Sequence, residues 1–156
     1  MKHLHLAFAL LLVAVPVLAK DDHRLPITVG PLTIYSLMEG DFEYGCGMSA
    51  YTLSRAGHLG TLVAEWPAGE GLLMFADGHL MSLPVLKDFG TAPNKVGGVH
   101  SVKFGTSDRS ATFLLKTAWV CPKGSESCEV TKYEGTLELT SGSQSGKIPV
   151  HVEYGC

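Results

Sequence analysis

The sequence predicts an all-β fold, a small antiparallel barrel or sandwich with two disulfides. Short runs rich in β-branched and aromatic residues recur along the chain, and several alternate between apolar and polar positions. Turn-forming residues separate these runs at intervals of about ten residues, and no segment keeps the period of an amphipathic helix. With 156 residues, 46 % of them hydrophobic, the chain has material for one domain. We expect about eight to ten strands.

The first nineteen residues have the pattern of a signal peptide and are set apart from the fold. Lys2 gives a cationic start, Leu4–Leu18 is mostly apolar, and Ala19 ends a sequence suited to cleavage. A retained membrane anchor is the alternative, but the apolar run is shorter than the ~20 residues that span a bilayer. We therefore expect an exported protein, periplasmic or secreted, in which residues 20–156 form one β domain without a membrane span.

Four cysteines, Cys46, Cys121, Cys128 and Cys156, remain after cleavage. Export places them where thiols oxidise, and an even number fits two disulfides. Sequence alone allows three pairings, but Cys121 and Cys128 bracket a short polar connection, which favours their pairing and leaves Cys46 for Cys156. A zinc site is the alternative, and it is disfavoured because the paired-ligand spacing C-x-x-C does not occur.

Strand patterns follow one another through most of the domain. They cover Thr33–Met38, Met48–Leu53, Thr61–Trp66, Leu72–Ala76, His79–Leu83, Val99–Phe104, Ala111–Val120, Thr136–Thr140 and 148–154. Between them, Arg55–Gly60 could form one helical turn, Pro84–Lys95 is predicted to be a surface loop, and Ser141–Gly146 a flexible hairpin loop. The alternation in Ala111–Val120 places Trp119 on the inward face, so we expect it in the core.

Asp77-Gly78 gives the strongest local prediction. The pair tolerates the positive φ angles of a type I′ turn, which fixes the register of a hairpin. Met74 then faces Met81 across the hairpin, with His79 on the same face. Both faces of this hairpin are largely apolar, so we predict that it lies centrally in the core.

Charge and motifs exclude several function classes. A net charge of -3 and a pI near 6.1 leave no cationic surplus for nucleic acid, so we expect no nucleic-acid partner. No G-x-S-x-G motif is present, and the inventory of serines, histidines and acids is ordinary for a chain of this size. We expect a non-catalytic protein without a cofactor, although an unrecognised hydrolase stays an alternative.

Trp66 and three alternating carboxylates, Glu39, Asp41 and Glu43, are the candidate partner-binding residues. An aromatic side chain beside a loop can anchor a protein partner, and Trp66 precedes a Pro/Gly-rich turn. The carboxylates could bind a cation or meet a basic partner. The alternatives are that Trp66 belongs to the core and that the carboxylates form a solvated strand edge that discourages aggregation.

Met74, His79 and Met81 form the candidate metal site. Thioether and imidazole ligands suit Cu(I), which an exported protein can encounter. The spacing of His79 and Met81 resembles the His-x-Met end of periplasmic copper chaperones. The alternative is that the methionines fill an irregular core and His79 lies at a solvated turn.

The C-terminal third, from Trp119 through Cys121 and Cys128 to Cys156, resembles a group of uncharacterised small exported bacterial proteins. The segment Tyr44–Cys46 is similar to one in the periplasmic lysozyme inhibitors of the MliC type. That likeness implies a small antiparallel barrel that blocks an enzyme cleft with a loop. The inhibitor's Ser-Gly-x-x-Tyr loop is only approximated here by residues 47–51, so no residue roles are carried over.

We therefore expect an exported, non-catalytic protein that binds another protein in the cell envelope, as an inhibitor or immunity factor for an envelope-acting enzyme. The alternative is a periplasmic Cu(I)-binding protein.

Overall fold

The computed structural model describes residues 23–43, 45–54, 59–89, 95–125 and 128–156. Within these ranges the chain forms eleven strands and no helix. The strands are β1 (Pro26–Val29), β2 (Leu32–Tyr35), β3 (Gly47–Leu53), β4 (Leu59–Pro67), β5 (Leu72–Ala76), β6 (His79–Leu83), β7 (Val85–Lys87), β8 (Val99–Gly105), β9 (Arg109–Trp119), β10 (Val130–Ser141) and β11 (Gln144–Gly155).

All eleven strands belong to one antiparallel sheet. Their order is β1-β2-β5-β4-β3-β11-β10-β9-β8-β7, and β6 pairs with β5 off this path. The sheet is not closed. The all-β class and the two disulfides are confirmed. The described strands exceed the expected eight to ten because β1 and β7, with four and three residues, are too short to give a sequence pattern.

The sheet curves over its own apolar face, so that its first hairpin meets its last long strand. Gly30, in the β1–β2 turn, lies directly against Gly146 of β11. A Cβ added to Gly146 would be 2.0 Å from the Val29 carbonyl oxygen. This approach requires glycine because any side chain would separate the two backbones. The enclosed core includes Val29, Ile34, Met48, Leu72, Val102, Phe104, Phe113, Leu137, Val150 and Val152.

The β5–β6 hairpin has the predicted turn and register. Asp77 and Gly78 have φ angles of 52° and 79°, as a type I′ turn requires, and Met74 is paired with Met81. The predicted central position is wrong for β6, which pairs only with β5 in the described sheet and is largely exposed. Its apolar residues are therefore at the margin of the core.

The β10–β11 hairpin corrects the expectation of a flexible loop at Ser141–Gly146. Pairing continues to Ser141 and Gln144, which leaves a turn of only Gly142 and Ser143. Gly142 has a φ of 57°, the positive value that a type II′ turn needs at its first central residue. The small polar residues that suggested a loop are strand residues here.

A β-bulge in β9 overturns the prediction for Trp119. Thr117 pairs with Tyr133 and Trp119 with Lys132, so that Ala118 is an extra residue in β9. An extra residue moves the following side chains to the opposite face. Thr117 is buried, whereas Trp119 is 39 % exposed.

The two ends of the curved sheet differ in how they are closed. The disulfide end carries Cys46–Cys156, Cys121–Cys128 and the β4–β5 turn at 68–71. The turn end carries the tight turns at 77–78 and 142–143. The cysteine pairing favoured by the sequence is confirmed, and the covalent bonds are confined to the disulfide end.

Phe89 fills the disulfide end with its ring. It follows β7 within Pro84–Lys95, which is therefore more than the predicted surface loop. The Phe89 ring lies 5.5 Å from Tyr133, 5.4 Å from Tyr154 and 5.9 Å from His100. Phe89, Tyr133, Tyr154, His100 and Trp66 form what we call the aromatic cluster.

Some predictions lie outside the described residues. These are the signal peptide at 1–19, Tyr44 of the inhibitor-like segment, and most of the helical turn predicted at Arg55–Gly60. The described part of the chain contains no helix able to cross a membrane. The two disulfides are consistent with an oxidising compartment outside the cytosol.

Candidate functional site

Asp41 is the fixed centre of the acidic segment. Arg24 donates to both of its carboxylate oxygens, with Nη2 2.8 Å from Oδ1, and the Met38 backbone N–H donates to Oδ2 at 2.7 Å. The hydrogen bond from Arg24, aided by that from Met38, lowers the pKa of Asp41 against the opposing effect of burial. Arg24 itself lies 3.8 Å from the centre of the Phe75 ring. Asp41 therefore holds its loop in place.

Glu39 and Glu43 are exposed on either side of Asp41. The loop that carries Glu43 faces the β4–β5 turn across a groove of about 500 Å³. We call this the acidic groove; it is lined by Gly40, Asp41, Phe42, Glu43, Pro67, Glu70 and Leu73. Three of these residues are acidic and none is basic. Arg24 balances the charge of Asp41, so Glu43 and Glu70 give the groove the negative charge that favours cationic groups.

Trp66 supports one wall of the groove. Its indole N–H donates to the Glu70 carbonyl oxygen at 2.9 Å, and its ring packs 4.9 Å from that of Phe104. The side chain is partly buried against the core. The alternative that Trp66 belongs to the core thus has structural support, and its effect on a partner would pass through the position of Glu70.

The same wall, the β4–β5 turn, is tied to the long disulfide. The Ala68 backbone N–H donates to the Cys46 carbonyl oxygen at 2.9 Å, and Cys46 is bonded to Cys156 at the end of β11. Gly47 packs so closely on β4 that an added Cβ would lie 2.4 Å from the Trp66 carbonyl oxygen. The acidic groove is therefore built from segments joined by covalent and hydrogen bonds.

Glu65 is a buried carboxyl group in β4, close to the β4–β5 turn. It is 7 % exposed and is paired across the ladder with Leu73, which lines the groove. Burial raises the pKa of Glu65, against a hydrogen bond with Ser49 that lowers it.

A second polar cluster lies on β10 and β11, where Lys132 Nζ is 2.9 Å from Glu153 Oε1.

The candidate metal residues are only partly brought together. Met74 and Met81 face each other and line one cavity at the turn end, but His79 is exposed and lies outside the cavity lining. The Arg109 guanidinium donates to the Met81 sulfur at 2.9 Å. A fixed positive charge at that sulfur opposes a cationic ligand. The described residues contain no group of three His, Cys, Asp or Glu side chains placed to hold a metal.

Glu70, Phe89 and Arg109 were missed by the sequence reasoning. Glu70 lies in the turn after Trp66, and no sequence pattern indicates that it lines a groove with Asp41 and Glu43. Arg109 is 28 positions from Met81, and only the folded sheet brings them together. His100, the second residue of β8, is buried, and its Nε2 lies 2.9 Å from the Thr117 hydroxyl.

Comparison with known proteins gives no relative. No protein family matches the chain, and no curated protein or solved structure is significantly similar to it.

Proposed function

We propose that this chain is an exported, non-catalytic protein that binds a basic region of another protein in the cell envelope, as an inhibitor or immunity factor of an envelope-acting enzyme. The acidic groove is the observation that carries the proposal. Glu43 and Glu70 line a space large enough for the side chains of a partner, and Asp41, paired with Arg24, holds the loop between them. Basic side chains would gain hydrogen bonds and Coulomb attraction there.

The groove is held in shape before binding, which favours association. Arg24 holds Asp41 by hydrogen bonds. The hydrogen bond from Ala68 to Cys46 joins the β4–β5 turn to the long disulfide. A surface that is already ordered loses less conformational entropy when a partner binds. This agrees with a protein that acts by occupying a partner rather than by chemistry of its own.

The two disulfides support the exported location. Covalent bonds between cysteines persist in oxidising compartments such as the periplasm. A partner in the same compartment would be a secreted or envelope protein, and enzymes that cleave the anionic cell wall are suitable candidates because a basic surface attracts their substrate.

A basic lysozyme is the probe for the test. We expect the oxidised protein to bind it, with affinity that falls as salt is raised. Glu43→Lys combined with Glu70→Lys should weaken binding by at least about tenfold, a change of about 1.4 kcal/mol. Glu129→Lys combined with Glu134→Lys makes the same charge change outside the groove and should retain most of the binding.

Three results would contradict the proposal. The first is no binding of the lysozyme by the wild-type protein, and the second is equal loss in the groove and control variants. The third is turnover of peptidoglycan, peptide or ester substrates by the purified chain that disappears with a single Ser, His or Asp substitution.

Cu(I) binding is the second candidate function, and the pairing of Met74 with Met81 is the observation that favours it. It ranks second because Arg109 contacts the Met81 sulfur. Anaerobic Cu(I) titration of wild type against Met81→Ala tests it. A copper site predicts weaker binding by the variant, whereas equal affinities exclude these ligands.

A further inference from the structure

We propose that the cavity at the turn end binds a small carboxylate with a short apolar tail, its carboxylate on Arg109 and its tail beside Met74 and Leu139. This site is separate from the acidic groove and does not depend on the proposed protein partner.

The cavity has the lining of a site for an apolar group. It has a volume of about 70 Å³. Its apolar lining residues are Leu32, Ile34, Met74, Ala76, Met81, Leu83 and Leu139. Met74 is 1 % exposed and Ile34 3 %, so these walls belong to the core. Because an apolar cavity of about 150 Å³ holds benzene, this one suits a tail of about two to four carbons.

Arg109 is the group in the cavity lining that can bind an anion. Among the described lining residues it is the only basic one and Asp77 the only acidic one, and it begins β9 at the edge of the cavity. One of its N–H groups donates to the Met81 sulfur, which is a weak acceptor. A carboxylate is a much stronger acceptor for a guanidinium and can take two N–H groups at once. Replacing the sulfur with a carboxylate oxygen would therefore strengthen the hydrogen bonding of Arg109.

Asp77 competes with the proposed ligand. Its carboxylate forms an ion pair with Nη2 of Arg109, and its side chain is 58 % exposed. Solvent weakens such a pair, but its negative charge still repels an incoming carboxylate. Removing the charge of Asp77 should therefore tighten binding, while removing the charge of Arg109 should weaken it. Opposite effects from the two partners of one ion pair would not arise from a general loss of structure.

The remaining polar lining groups are hydroxyls. They belong to Thr33, Ser110, Thr140 and Ser141. Hydroxyl groups can donate to a carboxylate without adding charge. The site thus combines apolar walls, the Arg109 guanidinium with its Asp77 partner, and neutral donors, and such a combination suits a small amphipathic molecule.

Butyrate is the probe, and butyramide is its neutral counterpart of similar shape. Titrations by nuclear magnetic resonance at fixed salt should show saturable butyrate binding at the turn end, at least about tenfold tighter than butyramide. Arg109→Gln should weaken butyrate by about tenfold, and Asp77→Asn should tighten it by about threefold. Asparagine keeps the turn because it tolerates positive φ.

Two further variants complete the test. Ala76→Leu fills the cavity without changing charge and should abolish butyrate binding. Lys103→Gln removes a positive charge outside the cavity and should leave binding unchanged. The proposal is overturned if wild type shows no saturable butyrate response, if butyramide binds equally well, or if Asp77→Asn weakens binding. The same holds if Lys103→Gln has as large an effect as Arg109→Gln.

Discussion

The disulfide end and the turn end of the same sheet are closed by different interactions. The disulfide end has two disulfides and the aromatic cluster, in which the Phe89 ring packs against Tyr133 and Tyr154. At the turn end, tight turns and side-chain packing leave a cavity of about 70 Å³. The comparison supports a different proposed ligand at each end, because a fixed groove suits a protein and an apolar cavity suits a small molecule.

Removal of the long disulfide should give the largest loss of stability. Cys46→Ser combined with Cys156→Ser opens a bond that spans 110 positions, and chain entropy gives a cost of about 5 kcal/mol. Urea unfolding of the oxidised protein measures it. The Cys121→Ser and Cys128→Ser pair, spanning 7 positions, should cost about 2.5 kcal/mol. Equal losses would show that chain entropy does not govern this end.

Truncation of Phe89 should give the next largest effect. Phe89→Ala leaves a gap between stacked and edge-on rings, at an expected cost of about 3 kcal/mol. At the turn end, Ala76→Leu adds volume where a cavity exists, so we expect a change below about 1 kcal/mol. Thermal or urea unfolding measures both. A larger loss of stability from Ala76→Leu than from Phe89→Ala would show that the turn end, and not the disulfide end, is the more tightly packed.

Two carboxyl groups near the disulfide end should give opposite pH dependence. Because burial raises the folded-state pKa of Glu65, its ionisation lowers stability at neutral pH, and stability is gained as pH falls through that pKa. Glu65→Gln should therefore stabilise the protein at pH 7 and remove this gain. Urea unfolding between pH 4 and pH 8 measures it, and unchanged stability at pH 7 would contradict it.

Asp41 should behave in the opposite way. Because Arg24 lowers the folded-state pKa of Asp41, its stabilising contribution is present above its ordinary pKa of about 3.9. That contribution is lost as pH falls through the folded-state value. Unfolding of Asp41→Asn below pH 4 should show a smaller acid-dependent loss than wild type. An identical acid profile would show that the ion pair contributes little.

Trp119 should give the smallest effect. Its side chain is exposed because of the bulge at Ala118, so Trp119→Ala should cost less than about 1 kcal/mol. Phe113→Ala, three alternate positions earlier on β9 and fully buried, should cost about 3–5 kcal/mol. A comparable loss from both variants would mean that Trp119 is buried in solution.

The predictable parts of this molecule are those set by local chemistry. Asp77-Gly78 fixed a turn and a register because few residue pairs adopt two positive φ angles. Trp119 was misplaced because nothing in the sequence distinguishes a regular strand from one with an extra residue. The pairing of Cys121 with Cys128 followed from their short separation.

The sites depend on contacts between distant segments, which explains why only their parts were predicted. Glu43 and Asp41 were candidates from the sequence, but their facing partner Glu70 comes from another turn. Arg109 reaches Asp77 and Met81 only because the curved sheet brings the start of β9 close to the β5–β6 hairpin, which is not its neighbour in the strand order. Periodicity along one strand carries no information about such neighbours.

Hydrogen exchange of the oxidised protein and of Cys46→Ser/Cys156→Ser tests most directly whether the disulfide holds the acidic groove in shape. We expect faster exchange in the variant at residues 38–43 and 67–71, with little change at 76–79 and 141–146. Unchanged exchange at the groove, or equal acceleration at both ends, would contradict this account.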